Sequence, residues 1–219
     1  MAVDGPVTPS DAASLVVLRG TGNGTEVLMG RRRDTARFMP GVYVFPGGAT
    51  EEQDVEIAEC IGSPYSLIAT ALRETWEETD ALIGRPAANF FHQNGNAFLE
   101  AINAAGISIP LNQLHYVARA ITPAESPIRF DTRFFLCDGA YLHGSPRAVG
   151  ELPEVVWVPV SRALNSNRVR GVSKFVLEEA VSLMTEQGRL SDPDRTVRNY
   201  TYIDGVNVIN RELQSDGLI

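Results

Sequence analysis

Apolar and polar residues fall into short runs along the chain, and the period of those runs changes with position. Ser14–Arg19 (SLVVLR) and Glu26–Arg31 (EVLMGR) have the length and β-branched content of strands, and Gly20–Thr25 is a turn-rich hairpin loop between them. Val42–Phe45 reads as a third, short strand that stops at Pro46-Gly47-Gly48. Residues 49–63 are acidic and irregular, so no regular element is expected there. From Pro64 to about Asp80 the period turns helical, with Ile68, Leu72, Thr75 and Thr79 on one face. Residues 85–112 read as a helical insertion, with Phe98, Ile102 and Ala105 spaced as one helix face. Leu114–Ile121, Phe130–Cys137 and Glu154–Val160 are further strands, followed by a short helix from Ser161 and an amphipathic helix over Ser173–Thr185. Near the end, Tyr200–Ile203 and Val206–Ile209 flank Asp204-Gly205, a hairpin signal.

Short strands interspersed with helices predict an α/β fold with a mixed central sheet and helices on its faces. Residues 1–12 are expected to be a flexible lead, 13–190 the domain with its insertion at 85–112, and 191–219 a tail forming a hairpin or a dimer arm.

Composition narrows the partners. The chain has 219 residues and a net charge of −8, so a broad nucleic-acid or anionic-membrane surface is disfavoured. Cys60 and Cys137 have no Cys or His neighbour at metal spacing and read as reduced thiols, which with the absence of a leader-like start predicts a cytoplasmic protein. An anionic small molecule remains open through a local basic cluster or a metal ion.

The most informative segment is Ala71-Leu-Arg-Glu-Thr-Trp-Glu-Glu-Thr-Asp80. On a helix, Glu77 falls at about −60° and Glu78 at about +40° from Glu74, so three carboxylates share a face. Like charges so spaced cost roughly 0.2–0.5 kcal/mol per pair, and only Arg73 is present to offset them. By itself the helix fits either a solvated acidic face or a site where hard oxygens hold Mg²⁺ or Mn²⁺. Upstream, Phe45-Pro46-Gly47-Gly48 fits an ordinary strand-ending turn, or a bend whose carbonyl joins those carboxylates around a cation. Arg31, Arg32, Arg33 and Arg37 form a basic cluster suited to phosphate oxygens, or equally a surface loop paired with Glu51, Glu52 and Asp54.

Taken together, Gly48, Asp54 after five intervening residues, and Arg73-Glu74-Thr75-Trp76-Glu77-Glu78 resemble the Nudix box of the Nudix hydrolases. The chain departs from it in about 11 extra residues between the halves, in Thr75 for an aliphatic residue and in Asp80 for the glycine that ends the helix. The stretch Leu28–Gly48, with Arg32, Arg37, Gly41 and FPGG in place, is similar to the signature of coenzyme A diphosphatases; Met29, Gly30 and Arg33 depart from it.

The resemblance implies a Nudix-type α/β/α sandwich and a metal-dependent hydrolase of a nucleoside-diphosphate derivative, coenzyme A or acyl-coenzyme A. It implies Glu74, Glu77, Glu78 and the Gly47 or Gly48 carbonyl as ligands of Mg²⁺ or Mn²⁺, and Arg32, Arg33, Arg37 and Gly41 at the substrate. Arg73 is expected to orient the carboxylates, and Glu151 or Glu154 to stand where a later loop supplies a general base. Competing expectations are a Nudix hydrolase for ADP-ribose or NADH and a catalytically silent Nudix-fold binding module. The expected partner is a small nucleotide, with a homodimer as a further option.

Overall fold

A computed structural model describes residues 7–36, 39–88, 95–186, 189, 190, 192, 194–203 and 206–218. Its centre is a mixed sheet built on β1 (Ser10–Arg19), which runs parallel to β9 (Phe130–Asp138) along nearly its whole length. On the other edge of β1, β4 (Gly47–Ala49) pairs with residues 12–14, and β2 (Glu26–Arg31) pairs with Leu18 and Arg19. The order continues outward from β2 to β11 (Glu154–Pro159) and from β9 through β8 (His115–Ile121) to β12 (Thr196–Ile203) and β13 (Val206–Leu213). β3 (Tyr43–Val44) pairs with β2.

The period-two pattern of β1 divides the core. Ala13, Leu15 and Val17 face one cluster, which contains Ile57 and Ile61 of α1 (Gln53–Ile61), Leu67 and Leu72 of α2 (Ser66–Thr79), and Phe98 and Ile102 of α3 (Ala97–Ala105). Val16 and Leu18 face the other, with Ala163 of α4 (Val160–Asn165) and Phe175, Val176 and Leu183 of α5 (Gly171–Thr185). Helices therefore cover both faces of the sheet, as an α/β/α sandwich requires.

Three sequence expectations are corrected. Residues 10–12, assigned to the flexible lead, begin β1. The stretch read as irregular holds helix α1, because Asp54, Glu56 and Glu59 interrupt a stripe of buried Ile57, Ala58 and Ile61. The insertion at 85–112 is not wholly helical: α3 is flanked by β6 (Arg85–Pro86) and β7 (Ile107–Ser108), which pair with each other. Two further short strands, β5 (Leu82–Ile83) and β10 (Leu142–His143), form a separate ladder, and both are too short for a sequence period.

The tail forms the hairpin expected of it. β12 and β13 pair along residues 196–203 and 206–213, and β12 also joins β8 in parallel, so the hairpin extends the main sheet. Glu212 accepts hydrogen bonds from Tyr116 (2.7 Å) and Arg119 (2.9 Å). Beyond β13 lies α6 (Gln214–Leu218), where Arg133 donates to the Gly217 carbonyl at 2.8 Å. These partners lie about 80 to 100 positions away in the chain, outside any local pattern. Asp204-Gly205, the turn expected there, lies outside the described residues.

Candidate active site

Helix α2 crosses over β1 and β4 and brings its acidic face to the glycine turn. Thr75 and Thr79, on the opposite face, are fully buried. Their hydroxyls donate to the carbonyls of Ala71 (2.6 Å) and Thr75 (2.5 Å), so each is satisfied inside the helix itself. That is why a threonine is tolerated where an aliphatic residue is usual.

Arg73 is the hub of the site and is 1% exposed. Its Nε and Nη2 clamp Asp54 at 2.7 and 3.0 Å, its Nη1 donates to Glu74 and Glu77 at 2.9 Å each, and Nη2 also reaches the Ala49 carbonyl. Burial by itself lowers the pKa of the guanidinium. Asp54, Glu74 and Glu77 outweigh that and hold it above the ordinary arginine value. Asp54 is fully buried and also accepts from the Thr70 hydroxyl and the Glu51 amide. The extra residues between the two motif halves are accommodated as α1 and the turn after it. Asp54, in the first turn of α1, still reaches Arg73.

Glu74 and Glu78 meet the turn directly. A Cβ on Gly48 would lie 2.5 Å from the Glu74 carboxyl carbon, and one on Gly47 would lie 2.4 Å from the Ala13 carbonyl. Gly47 also has φ +156°, so a side chain is strained there on both counts. The Gly47 amide donates to Glu78 at 3.0 Å. Burial pushes the pKa of Glu78 up to about 8; the Gly47 hydrogen bond and Arg32 oppose the shift, and Glu74 and Glu151 reinforce it. Burial also raises Glu74, against the pull of Arg73.

Buried Glu78 and half-buried Glu74 at the glycine turn, with too little positive charge to balance them, are a donor set suited to a hard divalent cation. Glu77 is turned to Arg73, and among the described residues no three acidic, His or Cys side chains close around one point. The fit therefore rests on Glu74, Glu78 and the turn.

These groups stand at one side of a cleft of about 820 Å³. Arg32 and Arg33 line it as well, whereas Gly41 does not. Gly41 has φ +69° and closes the loop by donating to the Arg33 carbonyl. Arg37 lies outside the described residues. The Nε of Arg32 is buried without a hydrogen-bond partner, and its Nη2 lies 3.9 Å from Glu151.

The structure separates the two candidate bases. Glu154 accepts from the Tyr43 hydroxyl at 3.0 Å, lies 3.4 Å from Arg31 and does not line the cleft. Glu151 does line it. Its loop is fixed to the end of α2, because Arg147 and Val149 donate to the Thr79 and Glu78 carbonyls and Leu152 is buried against Gly30. Asp80 ends α2 in the left-handed conformation (φ 55°), donates its amide to the Trp76 carbonyl and pairs with Arg147 at 2.7 Å. An Asp can take the place of a glycine there because its short polar side chain tolerates that region.

The far side of the cleft was not anticipated. Tyr200 and Tyr202 of β12 line it, together with Thr132, Phe134 and Ala120. The alternation Tyr-Thr-Tyr at 200–202 is a period-two signal that could have placed both rings on one face.

No family model matches the chain. The fold is similar to a Nudix hydrolase from Alicyclobacillus acidocaldarius, at 33% identity and a TM-score of 0.68 over 84% of this chain and 96% of that one. The chain belongs to the Nudix hydrolase family. It is 28% identical over 141 residues to a curated nudix-hydrolase-like protein from Caenorhabditis elegans, covering 60% of this chain and 46% of that protein. It thus spans about half the length of that curated relative. The Nudix domain of NrtR from Shewanella oneidensis, solved with ADP ribose, shares the fold at 14% identity and a TM-score of 0.54 over 82% of this chain and 90% of that one.

Proposed function

We propose that this chain is a divalent-metal-dependent diphosphatase for a nucleoside-diphosphate derivative, with coenzyme A or acyl-coenzyme A as the substrate. The observation that carries the reading is the meeting of Glu74 and Glu78 with Gly47 and Gly48 in the cleft that Arg32 and Arg33 also line. Glu74, Glu78 and the glycine turn would hold Mg²⁺ or Mn²⁺, with Glu77 joining them on leaving Arg73. Such an ion neutralises charge on the diphosphate and acidifies a water. Arg73 positions the carboxylates from beneath without touching substrate. Arg32 and Arg33 receive phosphate oxygens, and Glu151, beside Arg32, takes the proton of the attacking water. On coenzyme A the products are 3′,5′-ADP and 4′-phosphopantetheine.

The competing substrate is ADP-ribose or NADH. Turnover of coenzyme A, ADP-ribose and NADH, with and without Mg²⁺ or Mn²⁺ and with both products identified, separates the readings. Faster turnover of ADP-ribose removes the coenzyme A assignment. A metal-independent reaction removes the metal assignment, and the lack of a reaction with any of the three removes the diphosphatase assignment and favours a silent binding module.

A further inference from the structure

The lining of the cleft is divided by charge. Its charged side chains among the described residues are Arg32, Arg33, Glu74, Glu78 and Glu151. They come from α2 and from the loops that follow β2 and precede β11, on the β11–β2–β1 side of the sheet order. The β9–β8–β12 side contributes uncharged residues.

The strand register makes that side a floor with a wall. Ala12 pairs with Thr132, Thr132 with Ala120, and Ala120 with Tyr200, so one lateral row crosses β1, β9, β8 and β12. Its first three residues are small and leave the sheet surface open. The fourth is aromatic and rises from it. Three strand spacings separate β1 from β12, about 14 Å. The Tyr200 ring is held between Phe175 (centroids 5.2 Å apart) and Tyr202 (6.2 Å), so the wall is set before any ligand arrives. Tyr202 is 39% exposed and continues the wall outward.

From this division we infer that the Tyr200–Tyr202 wall holds the long uncharged arm of the substrate, while the phosphate-bearing nucleoside half stays with the arginines. The inference rests on the coenzyme A reading above and assigns its two halves to the two sides. Coenzyme A is asymmetric in the matching sense. The adenosine half carries an additional phosphate, which an uncharged wall cannot stabilise, and the pantetheine half beyond the diphosphate carries no charge. Tyr200 and Tyr202 are specificity-determining residues in this arrangement, and acyl chains extend past Tyr202 toward Ile209, which pairs with Tyr200 on the neighbouring strand.

The test measures binding of each product half separately, 4′-phosphopantetheine and 3′,5′-ADP, by calorimetry on the full chain. Wild type is compared with Tyr202→Ala and Tyr200→Leu, and circular dichroism checks the fold. Tyr202 is the safer position because its ring is partly exposed. The expected result is about tenfold weaker binding of 4′-phosphopantetheine in Tyr202→Ala with 3′,5′-ADP unchanged, and a KM for acyl-coenzyme A raised by a similar factor with kcat preserved. Loss of 3′,5′-ADP binding instead would put the base against the tyrosines and overturn the assignment. Unchanged binding of both halves, in a wild type that cleaves coenzyme A, would overturn it while leaving the diphosphatase reading intact. A wild type that neither cleaves coenzyme A nor binds 4′-phosphopantetheine would remove the substrate reading and this inference with it.

Discussion

The arginine behind the acidic helix face and the two that line the cleft are held in opposite ways. Arg73, on α2, is sealed inside the fold, with each of its nitrogens engaged and three carboxylates around it. Arg32 and Arg33 stand at the mouth, where Arg32 has one distant carboxylate and an unpartnered Nε, and Arg33 has a single carbonyl. A buried ion pair must be completely satisfied to be tolerated, so Arg73 is committed to structure. A mouth arginine that gives up little can turn to a phosphate. The difference shows how one residue type serves as a fixed brace at one depth and a cleft-lining group with spare donors at another.

The sharpest way to break the comparison is Asp54→Ala. It leaves the buried Arg73 without its bidentate partner and should cost about 3–5 kcal/mol, read as a lower midpoint in urea. A loss below about 1 kcal/mol would mean that the pair behaves like a surface one.

Next is Glu78→Gln, which should lower turnover at least about 10²-fold while raising the melting temperature of the metal-free protein. Near-normal activity in that variant would remove Glu78 from the ligand set. The stability gain follows from the sign of the shift. The folded-state pKa of Glu78 is raised to about 8, so the folded chain holds a proton that the unfolded chain has already released. Stability from this group is complete below the ordinary glutamate range and is lost as pH climbs through about 8. Mg²⁺ should therefore raise the melting temperature more at pH 8 than at pH 5; equal increments at both would speak against a cation at Glu78.

A smaller effect is expected at the mouth. Arg32→Ala removes one charge-assisted contact of about 1.5–3 kcal/mol, so KM should rise roughly 10- to 100-fold, with the urea midpoint unmoved. A stability loss to match that of Asp54→Ala would abolish the distinction between the two groups.

The least effect belongs to Asp80→Gly. Releasing a non-glycine residue from φ 55° should stabilise the helix end by up to about 1 kcal/mol, offset by loss of the exposed pair with Arg147. A clear drop in melting temperature would show that the Arg147 contact, which helps fix the Glu151 loop, outweighs backbone strain.

Much of the site was legible from the chain because it is local. Arg73, Glu74, Glu77 and Glu78 occupy a single helix, and helical geometry alone sets which of them share a face. The glycine turn was legible for the same reason, as a strand end followed by residues free of side-chain constraint. Asp54 was found by its spacing, while its burial and its clamp on Arg73 depend on α1, whose apolar stripe is interrupted by acids. Glu151 and Glu154 were equivalent in the sequence. What separates them is the docking of residues 147–152 onto the end of α2 and Gly30.

Periodicity and motif spacing thus determined the α/β class, the acidic helix face and the turn that meets it, since each follows from dihedral geometry within a few residues. Only the tertiary structure decided that the C-terminal strands enter the sheet beside β8 and that two tyrosines close the far side of the cleft. Those outcomes depend on strand order and on pairing between positions about 80 residues apart, and no local pattern encodes which strand will be a neighbour.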